Sequence, residues 1–583
     1  MARASLPAQT QAIQVPVDSL GFAGAMSWRA YVAKVYLSNK LSSPQVHQMV
    51  SKAEGASAQG TTDIGRAGAC GRAPNILSSD MAKCVMRGLD FPMPYMAYIP
   101  VSNLDSGLNK VSQEFPFLLP HEVLHFMINT GRASIHDMAD MSARPDLTLK
   151  SQVQTFCDKF HLDTHKCIPL GFHGDGVCHH KGLKKASVEV YSWNLLSEWD
   201  GERFLFTCIP KEFLCACGCS GRCTVDAILA LFAWSMQIML SGVFPDIRHD
   251  GLPLDSKRAH LQGHLGFWGG LFQARGDWMW YNQVFGFPNW NSHHICWRCR
   301  ATQSGTTCYK VFGPEAAWRH TRLTPREFLA LQRRNEVHIS PLFDCPGFSV
   351  DGVCIGELHC LDLGVAADAL GNILWECLLH GGLQGTNREL KVQSLWHKIK
   401  QYYKDSNPPS RLGGLTELML KKPKKAPKLK AKGAETRCLV PFGVLLAQEM
   451  FDMHKTDHFH LVLMTITALH DFYMIMSTQW DATLAAMCCR KYLTLYSRLS
   501  KEAQLHKKCA WVIKPKFHMF QEMVEFQSFE LGNPKGFWEH KDEDFVGWVS
   551  HLATRRGGKN SVRVVVDKVL QRYRGLSVWS QVA

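Results

Sequence analysis

Three acidic residues stand where a chain could hold a divalent metal. Asp175 lies in GFHGDGVCHHKG, where an apolar run gives way to a glycine-flanked turn. Asp277 lies in ARGDWMWYNQVFG, at the end of a second apolar run. Glu543 lies in FWEHKDEDFVG, an acidic cluster in which Asp542 and Asp544 are its rivals. Breaking or joining a phosphodiester requires an activated oxygen nucleophile and a stabilised leaving oxygen, and two carboxylate-held metals supply both. Mg²⁺ keeps several waters, so a few Asp or Glu side chains are enough. The same residues have plainer readings. Isolated aspartates mostly cap turns, and an acidic cluster suits any helix N-terminus.

Thiols and imidazoles form three further groups. HHICWRC carries Cys296 and Cys299, half of a tetrahedral zinc site. His293, His294 and Cys308 are nearby, or the missing ligands come from elsewhere in the chain. CACGCSGRC packs Cys215, Cys217, Cys219 and Cys223 together, and three of these could combine with His249. Thiolates this close repel unless they share a metal or stay protonated. The opening MARASLPAQTQAIQ has no apolar core of a secretory signal, so reduced thiols are expected and metal is preferred to disulfides. Small buried cysteines are the alternative in both clusters. PHEVLH matches His-Glu-x-x-His at His121, Glu122 and His125, the ligand pair and general base of a zinc protease. The following FMINTGRASIHD lacks the third ligand at the usual spacing, and the short motif recurs readily in a chain with 27 histidines.

Strands and helices must position these groups. CIPLGFHGDGV, ASVEVYSWNLL and RFLFTCIP read as three strands, rich in β-branched and aromatic residues. A helix is expected from Thr224 to about Leu240, then a strand in HLGFWGGLFQARGDW that delivers Asp277 at its end. Such an order predicts a mixed α/β layer. The apolar stretch Ala227 to Phe244 ends in Gly and Pro, and reads as a buried core helix rather than a membrane span. After about residue 310 the apolar spacing is mostly helical. Residues 111–165 read as helical, with Pro120 opening a helix, and residues 1–110 are poorly patterned, with a flexible loop from Ala53 to Arg72. The expected divisions are thus 1–110, 111–165, 166–309, 310–510 and 511–583.

The 583 residues carry a net charge of +14, which suits a polyanionic partner. KKPKKAPKLKAK, Lys421 to Lys432 with Lys424 and Lys425 at its centre, predicts a solvated loop. It serves either as an import signal or DNA contact, or as a linker that binds nothing. Arg555, Arg556 and Lys559 lie about one helix length beyond Glu543, where they would meet phosphates or simply close a helix. Trp278, Trp280 and Trp290 flank Asp277 and could stack on unpaired bases, though core packing explains them more simply.

The order of these blocks resembles a known family. A DG segment is followed by GDW, then HHICWRC, GELHCLDLGV, KPKFHMF and a late acidic helix. Over residues 115 to 575 this resembles the DDE transposases of the CACTA type. It is similar also to transposon-derived protist proteins with LPHE, CxCGC, RHDG and DEDF…RGG blocks. The resemblance implies an RNase H-like α/β core with a large helical insertion. It implies Asp175, Asp277 and Glu543 as catalytic ligands of Mg²⁺ or Mn²⁺, with Zn²⁺ on cysteines as a further expectation. DNA is the expected partner, the nucleus the expected compartment, no membrane is involved, and a homo-oligomer stays open. The family's Cys- or Asp-x-x-His motif matches at His359, but Gly356 stands three residues before it. That departure leaves a non-catalytic, nucleic-acid-binding descendant as the second expectation.

Overall fold

The structure is a computed structural model that describes residues 28–67, 80–82, 84–86, 91–103, 107–142, 147–180, 186–198, 201–335, 337–554 and 562–579. It divides into two compact units, residues 1–91 with 571–583, and residues 92–570. In the first unit lie α1 (Trp28–Leu37), α2 (Ser43–Gly55) and α3 (Thr62–Ala67). Ser42 and Gln45 form a reciprocal cap with Pro44 in the first turn of α2. The stretch from Ala53 expected as a loop therefore holds the end of one helix and another whole helix.

The second unit opens with an antiparallel hairpin of β1 (Tyr95–Asn103) and β2 (Leu108–Phe117). The expected boundary at 110 falls inside β2, and residues 111–117 are strand rather than helix. Val111, Phe115 and Phe117 recur at even spacing, a two-residue period hidden by the helical pattern that follows. Next come α4 (Pro120–Asn129), with Pro120 in its first turn, and α5 (Leu147–Phe160).

A mixed sheet forms the centre. Its strands are β3 (Cys167–His180), β4 (Ala186–Leu195), β5 (Arg203–Pro210) and β6 (Trp268–Arg275), in the order β5-β4-β3-β6. β3 pairs antiparallel with β4 and parallel with β6. A parallel pair needs a crossover, and α6 (Arg222–Ser241) provides it. One face of the sheet packs on α6, where Phe172 meets Phe232 at 4.5 Å between ring centroids. Beyond β6, Val353 adds a single parallel bridge to Ala274. β3 does not end at Asp175 as expected. Asp175 pairs with Val190 and the ladder continues to His180, because Val188 and Val190 keep β4 extended opposite it.

The rest of the unit is mostly helical. α7 (Trp278–Phe285) follows β6 directly. Beyond it a π-helical turn, Leu358–Ala366, runs into α8 (Ala367–His380), followed by α9 (Arg388–Ser406), α10 (Gly433–His454), α11 (Asp457–Ser477) and α12 (Ala482–Leu505). Next come α13 (Pro515–Glu522), α14 (His540–Ala553) and α15 (Val562–Trp579), the last contributing its residues from 571 onward to the first unit. Leu439, Ile466, Leu469, Phe472, Tyr492 and Phe517 build the helical core. Among the described residues α6 and α11 are long and apolar enough to cross a membrane, but half or more of each span is buried inside the protein. The lysine-rich segment is only partly solvated. Lys422, Lys424 and Lys425 are exposed, whereas Leu429 is buried and bonds through its N–H to Ala367.

Candidate metal centre

The parallel register sets the first two carboxylates side by side. His173 on β3 pairs with Arg275 on β6, and Asp175 and Asp277 each lie two residues further on. The two-residue period of strands gives His173 and Asp175 one face, opposite Leu170 and Phe172. The last strand residue is followed by a tight exit, in which Asp277 caps α7 by accepting from Trp280 N–H at 2.7 Å. Trp280 also explains the glycine before each aspartate. A Cβ on Gly174 would collide with the Trp280 indole, and one on Gly276 would press on the same ring and lie 2.9 Å from the Gly174 carbonyl. The Trp280 indole thus sits against both glycines, packed in the core as expected, whereas Trp290, for which the same packing was expected, is 58% exposed. Gly276→Ala should cost about 1–3 kcal/mol and displace Asp277, because a backbone carbonyl cannot move aside like a side chain. Thermal denaturation and Mn²⁺ titration read both effects; unchanged values for both would refute this packing argument.

α14 brings the third carboxylate. Its first turn presents Asp542, Glu543 and Asp544 in different directions, as helical geometry demands. Asp542 points into the sheet, where it accepts from Arg203 Nε at 2.8 Å and Arg275 Nε at 2.8 Å. Although buried, its carboxyl is held well below the usual range by Arg275, His173 and Arg203. Asp544 is exposed. Glu543 is the member whose charge acts on Asp175 and on which Asp277 acts in turn. Burial pushes the Asp175 carboxyl up to about 7, with Glu543 and Asp277 adding like-charge repulsion. Burial also raises Glu543, with Glu539 and Asp277 adding to it against the pull of His359. Asp175, Asp277 and Glu543 therefore lie near enough to act on one another's ionisation, although they do not gather three ligand atoms within 4.8 Å as the cysteine groups do, while Asp542 is engaged by arginines and Asp544 is exposed.

His359, on the π-helical turn, joins the group from the helical side. Its Nδ1 lies 3.0 Å from Glu539 Oε2, and its Nε2 lies 3.8 Å from Glu543 Oε1. Burial favours neutral imidazole, but the hydrogen bond and charge of Glu539, with Glu543, prevail and raise His359 to about 9. Glu539 is fully buried, and a Cβ on Gly356 would run into its carboxyl group. Gly356, where the expected motif would place Cys or Asp, thus makes room for an acid supplied by another segment. Lys211 was not foreseen either. It pairs with Glu189 at 2.7 Å and feels the charges of Asp175 and Asp277. A pocket of about 200 Å³ beside Asp277 is lined by Trp278, Trp297, His359 and Lys516 among others.

The CxxC pair finds its partners far away. Cys296, Cys299, His518 and Glu522 place ligand atoms within 4.8 Å of one another, all buried. His518 Nε2 is 3.3 Å from Cys299 Sγ, and Arg298 N–H donates to Cys296 Sγ at 3.3 Å. Glu522 Oε1 is buried without a hydrogen-bond partner, as a metal ligand would be. The nearer candidates are not used. Cys308 bonds the Gln303 carbonyl, and His293 and His294 are exposed against each other. The signal for the distant half was a His and a Glu four apart on α13, visible only once the helix is known. A third group, Glu357, Asp362 and His540, ties the start of α14 to the helical part.

Cys215, Cys217, Cys219 and Cys223 also gather within 4.8 Å, without His249, which bonds Tyr95 Oη at 2.7 Å. The His-Glu-x-x-His segment is otherwise engaged. His121 Nδ1 bonds Ser235 Oγ at 2.8 Å, and Glu122 takes both ends of Arg258 at 2.5 and 2.8 Å. Among the described residues, His121 and His125 belong to no group of three ligand atoms. Arg248 of the RHDG block pairs with its neighbour Asp250. Arg555, Arg556 and Lys559 lie outside the described residues.

Comparison with known protein families finds no match, and comparison with curated proteins finds no relative.

Proposed function

We propose that this chain is a transposon-derived, DDE-type protein that cleaves DNA phosphodiesters and transfers strands. One observation carries the reading: Asp175 and Asp277 follow two adjacent parallel strands in register, and with Glu543 from a late helix they lie near enough that burial and the other two raise Asp175 to about 7. Neighbouring carboxylates with one strongly raised suit ligands of a divalent metal. The sheet supports an RNase H-like core, since its first strand is central, antiparallel to the second and parallel to the fourth. The helices between β6 and α14 suit the long insertion.

Asp175, Asp277 and Glu543 would hold Mg²⁺ or Mn²⁺, and such an ion would supply activation of the attacking oxygen and stabilisation of the leaving one. Glu539 orients His359 against Glu543, and Asp542 fixes the helix that carries it. Lys211 offers a cation at the rim for a phosphate, and Lys424 and Lys425 offer two more on an exposed loop. Cys296, Cys299, His518 and Glu522 suit Zn²⁺, joining the segment after Asp277 to α13. DNA is the partner and the nucleus the compartment on this reading.

The test is nicking of supercoiled plasmid DNA with Mg²⁺ or Mn²⁺ by the protein and by Asp277→Ala. Metal-dependent nicking absent from the variant supports the proposal. No nicking by either protein, with DNA still bound in a salt-sensitive way, supports a non-catalytic DNA-binding descendant instead. The raised charge of His359 beside Glu543 favours that second reading, because a fixed cation there competes with a metal.

A further inference from the structure

We propose that Cys215, Cys217, Cys219 and Cys223 form a closed tetrathiolate zinc site that anchors the β1–β2 hairpin to the N-terminus of α6. The proposal stands apart from the carboxylate reading and needs no DNA chemistry. The loop between β5 and α6 is wound to gather the four sulfurs. Gly218, Ser220 and Gly221 all take positive φ, 95°, 55° and 84°. Ser220 is the telling one, since a non-glycine residue avoids this region unless its surroundings impose it. The sulfurs of Cys217 and Cys223 are 3.7 Å apart, too far for a disulfide. A tetrahedron with metal–sulfur bonds of about 2.3 Å has edges of about 3.8 Å. Backbone donors are already in place, with Cys223 N–H 3.5 Å from Cys219 Sγ.

Four thiolates on Zn²⁺ leave two negative charges to neutralise. Lys110 Nζ, from β2, stands 3.7 Å from Cys223 Sγ. The first turn of α6 begins at Arg222, so the positive end of its dipole faces the cluster. All four coordination positions are filled by protein, which marks a structural rather than a catalytic ion.

The surroundings say what the ion would hold. Ala216 N–H bonds the Asn109 carbonyl of β2 at 2.9 Å, and Thr224 Oγ1 accepts from Cys215 N–H and donates to Pro100 O of β1. Gln283 of α7 reaches the Ser220 carbonyl at 3.4 Å. Lys211, beside the acidic residues, lies four positions before Cys215. One ion would thus brace the hairpin, the crossover helix and the loop that carries Lys211.

The test uses full-length protein purified in reducing buffer with zinc. Metal content is measured for the protein, for Cys217→Ser/Cys223→Ser and for Cys296→Ser/Cys299→Ser. The first pair should lose one equivalent, and the second, loaded with cobalt, should keep the intense absorption of thiolate bound to cobalt. Should these variants fail to fold, the unaltered protein decides. Iodoacetamide should label the exposed Cys217 at least about tenfold faster after chelation than with zinc bound. Unchanged zinc in the first variant, equal labelling in both states, or a Cys217–Cys223 disulfide under reducing conditions would each overturn the proposal.

Discussion

Asp175→Asn should yield a protein that no longer cuts DNA yet unfolds at a higher temperature at pH 8. The first half follows from its proposed place between two metals. Losing that ligand should lower metal-dependent nicking by roughly a thousandfold, about 4 kcal/mol of transition-state stabilisation. The second half follows from its pKa. The carboxyl is raised from an ordinary 3.8 to about 7, with burial the main cause. Between these values the unfolded chain has released the proton while the folded protein retains it. Stability therefore falls as pH rises through this window, and the full loss is present above about 7. Asn carries no charge to bury, so the metal-free variant should gain roughly 1–3 kcal/mol at pH 8 and little at pH 4. For the same reason Mn²⁺ affinity of the unaltered protein should climb about tenfold per pH unit below 7, with release of one proton. Calorimetry in two buffers of different ionisation enthalpy measures that proton. A variant that cuts DNA normally, or is less stable at pH 8, would remove Asp175 from the site.

Asp542→Ala should be the most damaging substitution for the fold. Its carboxylate neutralises Arg203 and Arg275, and the Arg275 side chain is only 2% exposed. Removing one partner leaves buried cations with nothing to face, which costs about 3–5 kcal/mol. Asp542→Asn retains hydrogen bonding but not charge and should lose less. Gly171 shows how closely Arg275 is housed, since a Cβ there would approach its guanidinium to 2.7 Å. Urea denaturation of both variants provides the measurement, and a loss under about 1 kcal/mol for the alanine change would contradict the ion-pair account. The neighbouring Asp544→Ala, on the exposed side of the helix, should alter neither stability nor nicking.

The contrast among residues 542, 543 and 544 shows what a sequence can display. Gly-Asp pairs at the close of apolar runs made Asp175 and Asp277 visible, because strands leave their mark in a short window. The late acidic cluster was visible as a group. Which member turns away from the sheet toward Asp175 and Asp277 was not, since that depends on where Arg203 and Arg275 lie, more than 260 residues upstream. The same limit hid Glu539, which occupies the space above Gly356 from 180 residues away along the chain from its partner His359. A glycine in a motif reads as a loss until the side chain that fills its volume is seen. The sheet strands were legible, whereas β2 was masked by the helix that follows it. The CxxC pair advertised half of a cluster, and its other half became apparent only on the face of α13.

Asp542 clamps a segment 267 residues downstream of Arg275 onto the sheet, and Glu543 travels with it. Synthesis at 5–20 residues per second would separate the two ends of this contact by on the order of tens of seconds. During that time Asp175 and Asp277 lie on a nearly finished sheet without their third partner. On the proposed reading, a chain that ends before α14 carries only two of the three carboxylates, so chain order works as an interlock that completes the site late.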